Sequence, residues 1–598
     1  MLKVKNNLFF FILVIVIYLT HNWINFFYNP TNNVDFSKYY DYINYFLGLN
    51  VAIDYGQGTL YYYLFTIIFE RHLESVNYNN LDLIISASVH ELNLILFIVG
   101  LIGLYKLLKL HGYQKRVIFL TLILICFFPQ TIYLRAVLKA EILAFALFPW
   151  CLLFIEFYLK TKKLKYLYQI IPVLILVINS KPSIAAMTVL FLIIFYNKIF
   201  KVTDNKQIFF LIAVFILLLF LVQFENYKIT NLFPTDRMYE QEFDYKAKPI
   251  ILIKTNFVEL FRNPFFEFDY QENFYSVHAN SVINITLLDT FGDYFNQLFD
   301  SQVNYFSKNR KQIFVSEGNS IINSDRQIKY EGPFSFFLVN KLNHIRKILS
   351  IILSIIFYFL LIYISIIKKE LKKYTLAPLI GIFILYLNSL GIPSNNFNPF
   401  KGDTFKAFYY SFLLVLAFAF LACEVFKHQK IYVNILLTII FCCSIIFIAG
   451  HPKENNQLTS ERIVIANEYS IFCKFNNVLF LQNNLIKKIH PTGNIENYIS
   501  DCANSTISKT FFKKNPQQSN NINKEICFFD DNLLESTSNS KDCRIYWINS
   551  AQKINSNINL KPTISIILIL YFVFLQIFNN RNYLISKEFL NNVNKTKI

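Results

Sequence analysis

The chain has 598 residues, of which 54% are hydrophobic and only 16% charged, with a mean hydropathy of +0.38. These proportions exclude an ordinary soluble globular domain and predict a polytopic helical membrane protein. The formal net charge of +18 does not imply nucleic acid as a partner, because much of it lies in small lysine clusters beside apolar runs, where it orients membrane spans. The 65 Phe and 38 Tyr accompany an abundance of Asn, Ile and Lys expected of an AT-rich genome, so aromatic content alone carries little functional weight.

Lys3 and Lys5 precede an apolar run resembling a signal sequence, but no small-residue cleavage site follows, which predicts an uncleaved first span. Apolar runs follow at 8–24, 92–110, 117–134, 141–159, 168–180, 183–199, 208–224, 347–367, 375–391, 407–426, 431–449 and 562–578, about twelve transmembrane helices. With the N-terminus in the cytoplasm, alternation puts Lys106, Lys109, Lys115 and Arg116 inside. The clusters at 160–165, 198–206, 368–373 and 427–430 fall inside as well, as does the tail with Arg581 and Lys587. This orientation hinges on the pair of spans around 179–183, since a single broken helix there would reverse everything downstream.

The expected organisation is an N-terminal membrane core (1–224) with a first outward loop at 25–91, then a large outward loop (225–346). A second set of spans (347–449), a small polar extracytoplasmic domain (450–561) and a last span with a cytoplasmic tail (562–598) complete it. The first loop carries about seven acids against two bases. Its stretches 39–49 and 59–69 are too short to span and read as interfacial helices, as does 249–261 in the second loop. Cys473, Cys502, Cys527 and Cys543 share the polar domain and suggest two disulfides with sequential pairing, a zinc site being the alternative. Cys126, Cys151, Cys423, Cys442 and Cys443 lie in spans, where thiols pack as small hydrophobes.

Five basic residues break the orientation rule by falling in short outward loops: Arg135, Lys139, Lys181, Lys401 and Lys406. Arg135 and Lys139 are four apart, a spacing that shares one helix face, and Glu141 opens the next span, where a helix N-terminus favours a carboxylate. Each cation alone is explained as an interface anchor that snorkels out of the bilayer. Together, cations at the outer ends of several spans are suited to hold one phosphate.

Asp35 lies just beyond the first span, where a carboxylate can take a proton from an acceptor hydroxyl; an N-cap of the following helix is its structural alternative. Asp289 and Asp293, with Gly292 and neighbouring aromatics, form either a sugar-binding edge or a helix break. The acidic pairs Glu242/Asp244 and Glu267/Asp269 are short patterns that arise by chance. The chain has no Gly-rich phosphate loop and no H-E-x-x-H motif. No cofactor is fixed, and a divalent metal is the one left open.

The layout resembles the polyprenyl-phosphate-sugar-dependent integral membrane glycosyltransferases of the GT-C superfamily, including protein O-mannosyltransferases and lipid A aminoarabinose transferases. The resemblance rests on Asp35 in the loop after span one, interfacial helices before span two, the Tyr61-Tyr62-Tyr63 stretch, and Phe128-Pro129 followed by Glu141. It covers about the first 225 residues well and the rest loosely. It implies inverting transfer of a sugar from a polyprenyl-phosphate donor to a glycan, lipid or protein acceptor. The setting would be the extracytoplasmic face of a bacterial inner membrane, with Asp35 as base and outward Arg/Lys on the donor phosphate. The chain has Asp35-Phe36 where the mannosyltransferases have an Asp-Glu pair, which leaves Asp41 or Asp54 as substitutes. A glycan polymerase or ligase using a lipid-linked donor is the alternative. A transporter or flippase fits less well, since no internal repeat is visible and most charges lie at span ends.

Overall fold

The computed structural model describes residues 2–27, 30, 39, 42–43, 45–46, 53, 57–75, 81–200, 203–232, 282–291, 312–315, 320–323, 336–389, 407–427 and 561–574. These residues are almost entirely helical. In chain order the helices are α1 (Leu2–Phe27), α2 (Leu60–Ser75), α3 (Leu81–Leu110), α4 (Lys115–Phe127), α5 (Pro129–Ala136), α6 (Glu141–Thr161) and α7 (Leu164–Ser180). There follow α8 (Pro182–Phe200), α9 (Asn205–Thr230), α10 (Val282–Asp289), α11 (Phe336–Ile367), α12 (Lys372–Thr375) and α13 (Ala377–Ser389). A 3-10 turn at Ala407–Tyr410 leads into α14 (Ser411–Lys427), and α15 (Thr563–Phe574) is the last described helix. Two short strands, β1 (Gln312–Val315) and β2 (Ser320–Asn323), pair antiparallel.

Six described helices are long and apolar enough to cross a membrane, and seven if the bent pair α4–α5 counts as one span. Three further apolar helices, α7, the stretch Pro182–Phe195 of α8 and α15, are shorter. Eleven of the twelve expected runs therefore coincide with helix, although not all have the length of a full span; run 431–449 lies outside the described residues. The chain is a multi-pass helical membrane protein. α1, α9 and α11 present rows of exposed apolar side chains, Phe209 at 76% and Phe359 at 66% among them. Such rows suit lipid, since hydrocarbon exacts no penalty for apolar exposure.

The core of the bundle is α6, buried along most of its length between α3 and α7, and α14, which packs against α4 and α6. Helices before residue 231 and after residue 335 thus share one core, and α9, α10 and α11 occupy parts of the segment expected as a loop at 225–346. α3 and α6 meet closely because Gly100 and Gly103 face Phe145 and Trp150. A Cβ on Gly100 would lie 2.4 Å from the Phe145 ring, and Trp150 Nε1 donates to the Val99 carbonyl at 3.0 Å. Small residues at a membrane helix interface allow this approach.

The helix ends gather in two layers. At one, Lys373 pairs with Glu156, Lys368 with Glu424, Tyr113 donates to Glu424, and His111 meets the Tyr374 hydroxyl. Tyr158 and Thr203 also bond there, so the end of α8 returns to the level at which α7 begins. Residues 179–183 are therefore a sharp turn between two antiparallel helices, as the alternation of spans requires, and not a break in a single helix. The expected interfacial helix at 59–69 exists as α2, but its Leu60, Tyr61, Tyr62 and Phe65 are buried against α3, because the tyrosines find polar partners inside the bundle. Of 39–49, residues 39, 42–43 and 45–46 are described and helical.

At the lysine-rich end, burial pushes the His111 imidazole down to about 4 from its usual 6.5. The native state therefore refuses a proton that the unfolded chain accepts, so this residue lowers stability as pH falls from 6.5 toward 4 and adds nothing further below that. Thermal unfolding in detergent should show that acid slope, and His111→Phe should flatten it.

Candidate functional site

The opposite layer holds Arg135, Lys139, Glu141, Lys181 and Asp289, and its construction begins at the break between α4 and α5. Pro129 has no N–H and forces Phe128 into extended backbone (φ −63°, ψ 126°), so the two helices meet at 59°. The break frees carbonyls that lipid cannot satisfy. Arg135 supplies the donors: its Nη2 donates to the Cys126 carbonyl at 2.7 Å and its Nε to the Thr131 carbonyl at 3.2 Å. Nη1 donates to Thr20 Oγ1 at 2.8 Å, and the guanidinium lies 4.5 Å from the centre of the Phe97 ring. Arg135 is 1% exposed. It is a strut that ties α1, α4 and α5 together.

The expected shared helix face of Arg135 and Lys139 is not formed. α5 ends at Ala136, and Val137 is extended (φ −116°, ψ 152°). Asn93 holds this turn by donating Nδ2 to the carbonyls of Arg135 (3.1 Å) and Val137 (2.8 Å), while its Oδ1 accepts from the Tyr61 hydroxyl at 2.8 Å. Lys139 lies beyond that helix end, in the segment that connects α5 to α6. Its ammonium lies 5.9, 5.7 and 5.5 Å from the ring centres of Tyr39, Phe408 and Tyr409.

Glu141 is the first residue of α6, as expected, and Lys181 occupies the α7–α8 turn. Lys181 Nζ donates to Glu141 Oε1 at 2.7 Å and sits 4.0 Å from the centre of the Tyr409 ring. Lys139 and Lys181 thus meet at one aromatic ring, with one carboxylate beside them. Cation–π contacts of this kind hold an ammonium without neutralising it. Burial pushes the phenols of Tyr61 and Tyr62 up, and the nearby Glu141 charge adds to the effect, so both remain neutral hydroxyls. Tyr62 stacks between Tyr39 and Tyr42, which fixes the floor under Tyr39.

Asp289 is the last residue of α10, where the chain turns at Thr290 and Phe291, as the helix-break reading has it. Its Oδ2 accepts from the Ala407 N–H at 3.3 Å, and its carbonyl accepts from Gln130 Nε2. The carboxylate therefore caps the turn that carries Phe408 and Tyr409, and so bears on the lysines through those rings. A second polar hub locks the turn bearing Lys181: Asn179 Oδ1 accepts from Gln223 (3.0 Å) and Asn226 (2.5 Å), and Asn226 Oδ1 accepts from Thr59 Oγ1 at 2.7 Å. Gly58 lies so close that a Cβ there would be 1.8 Å from the Asn179 carbonyl oxygen.

Asp35, Asp293, Lys401 and Lys406 lie outside the described residues, as do Asp41, Asp54, the acidic pairs and the four cysteines of the polar domain. The residues that sequence reasoning missed are Tyr39, Phe408 and Tyr409. The signal for Phe408 and Tyr409 was the Phe408-Tyr409-Tyr410 triplet at the head of a span, hidden by the high aromatic background; Tyr39 had none of its own. Among the described residues, no three His, Cys, Asp or Glu side chains are grouped to hold a metal. No protein family, characterised protein or solved structure matches the chain.

Proposed function

We propose that the protein is a membrane glycosyltransferase that moves a sugar from a polyprenyl-phosphate-linked donor to an acceptor at the extracytoplasmic face, with inversion. The observation that carries this reading is the meeting of Lys139 and Lys181 at the Tyr409 ring, beside Glu141, at the end of the bundle away from the lysine-rich loops. Two ammoniums beside one ring, with Lys139 buried at 1% exposure and Lys181 partly exposed, are suited to hold a phosphate that enters the bundle end and to stabilise the charge that grows on it as the sugar–oxygen bond breaks. Phosphate leaves readily as an anion, so no separate general acid is required. Asp35, in the segment that follows α1, is the base that takes the acceptor hydroxyl's proton in this reading.

The test is a transfer assay on the purified chain in detergent with polyprenyl-phosphate-linked labelled sugars, following release of polyprenyl phosphate by mass spectrometry. Lys139→Met and Lys181→Met should each lower kcat/KM on the order of 10²-fold if they meet the departing phosphate. Wild-type turnover in both variants would remove the phosphate site, and turnover only of a polyprenyl-diphosphate-linked donor supplied in parallel, with release of polyprenyl diphosphate, would favour the polymerase or ligase alternative.

A further inference from the structure

We infer that Glu141 is a displaceable latch on the anion site: its carboxylate holds the Lys181 ammonium until a phosphomonoester takes its place. This rests on the phosphate reading above and adds a regulation of the same site. The pair is graded in depth, since the Lys181 side chain is 15% exposed and that of Glu141 only 2%. The ammonium is therefore the more accessible of the two, and the carboxylate the more deeply buried.

Three features make the exchange feasible. An ammonium offers three N–H donors, and Glu141 is bonded to one of them in a single contact at 2.7 Å. A phosphomonoester near neutral pH brings up to two charges and three acceptor oxygens, so it competes well against one carboxylate. The Tyr409 ring, 4.0 Å away, fixes the ammonium, so Lys181 stays in place while Glu141 lets go.

The released carboxylate is also not stranded. Glu141 opens α6, a helix of 21 residues, and remains at the positive end of its dipole after Lys181 has changed partners. The same residue therefore keeps Lys181 positioned in the empty protein and weakens the first encounter with an anion. Affinity for a phosphomonoester is lower than the two lysines alone would give. The singly charged phosphodiester of the intact donor only matches this carboxylate in charge, whereas the phosphomonoester released on transfer exceeds it, so the latch opens for the departing phosphate.

The experiment titrates farnesyl phosphate and, separately, ethyl phosphate into the purified full chain in detergent micelles. Folding of every variant is checked by size exclusion and thermal unfolding. Glu141→Gln should bind about tenfold more tightly than wild type, and Lys181→Met about tenfold more weakly. Glu141→Asp, one methylene shorter, should fall between wild type and Glu141→Gln, and it carries the test if Glu141→Gln does not fold. Wild-type or weaker affinity in the folded Glu141 variants overturns the latch while leaving the phosphate site intact. Equal affinity in wild type and Lys181→Met, or no binding by either, removes the phosphate site and the latch with it. Tightening with farnesyl phosphate alone identifies a lipid headgroup as the ligand, and tightening with both identifies any phosphomonoester.

Discussion

Arg135→Met is expected to cost the protein its fold before it costs any donor affinity. The guanidinium bonds the Cys126 and Thr131 carbonyls and the Thr20 hydroxyl, all within the bundle, and it is 1% exposed. A hydrogen bond to a charged group contributes about 1.5–3 kcal/mol, and removing one partner of a buried charged network typically costs about 3–5 kcal/mol. Against a typical folding stability of about 5–15 kcal/mol, that is a large share. Arg135→Lys should rescue little, because one ammonium lacks the planar fork that reaches carbonyls on both sides of the Phe128 break. Size exclusion and thermal unfolding in detergent measure both variants. A well-folded Arg135→Lys with weakened donor binding would return this residue to the anion site.

Asp35→Asn should abolish transfer while leaving folding and donor binding in place. General base catalysis contributes about 10²–10⁴-fold, and the isosteric amide removes the base without removing volume. The expected signature is a fall in kcat with little change in KM, because the acceptor's proton is lost only as the transition state forms. Turnover near wild type would exclude Asp35. The same assay on Asp41→Asn and Asp54→Asn then identifies which acidic residue of the first loop serves instead.

The sequence made the membrane class legible because a bilayer imposes a simple requirement: long apolar helices with their backbone bonds satisfied internally. Loop lysines supplied the alternation, and the bond between Tyr158 and Thr203 agrees with it at its most doubtful point, the turn around Lys181. Span length was less legible, because hydropathy locates an apolar run but does not say how far the helix extends or where it bends. Phe128-Pro129 was visible as a motif, yet its consequence, a carbonyl that recruits Arg135, depends on packing three helices together. Arg135 and Lys139 illustrate the same gap. Four-residue spacing implies a shared face only while the helix continues, and Asn93, more than forty residues earlier, holds the turn that ends it. Tyr409 was hidden for a different reason: a ring that organises cations looks like any other in a chain with 38 tyrosines.

Glu225, near the end of α9, accepts the backbone N–H of Ile564 at 2.9 Å and of Ser565 at 3.5 Å, and so caps α15 from another helix. Farther along, Phe572 lies edge-on against Trp150 of α6. Glu225 and Ile564 are 339 residues apart. At ribosomal speeds of about 5–20 residues per second, on the order of 20–70 s separate the synthesis of the carboxylate from that of its partner. For that interval α9 stands in the bilayer with an acid awaiting a helix still to be made. The contact between α9 and α15 is therefore timed by the ribosome, since α9 is made well before the helix that its carboxylate caps.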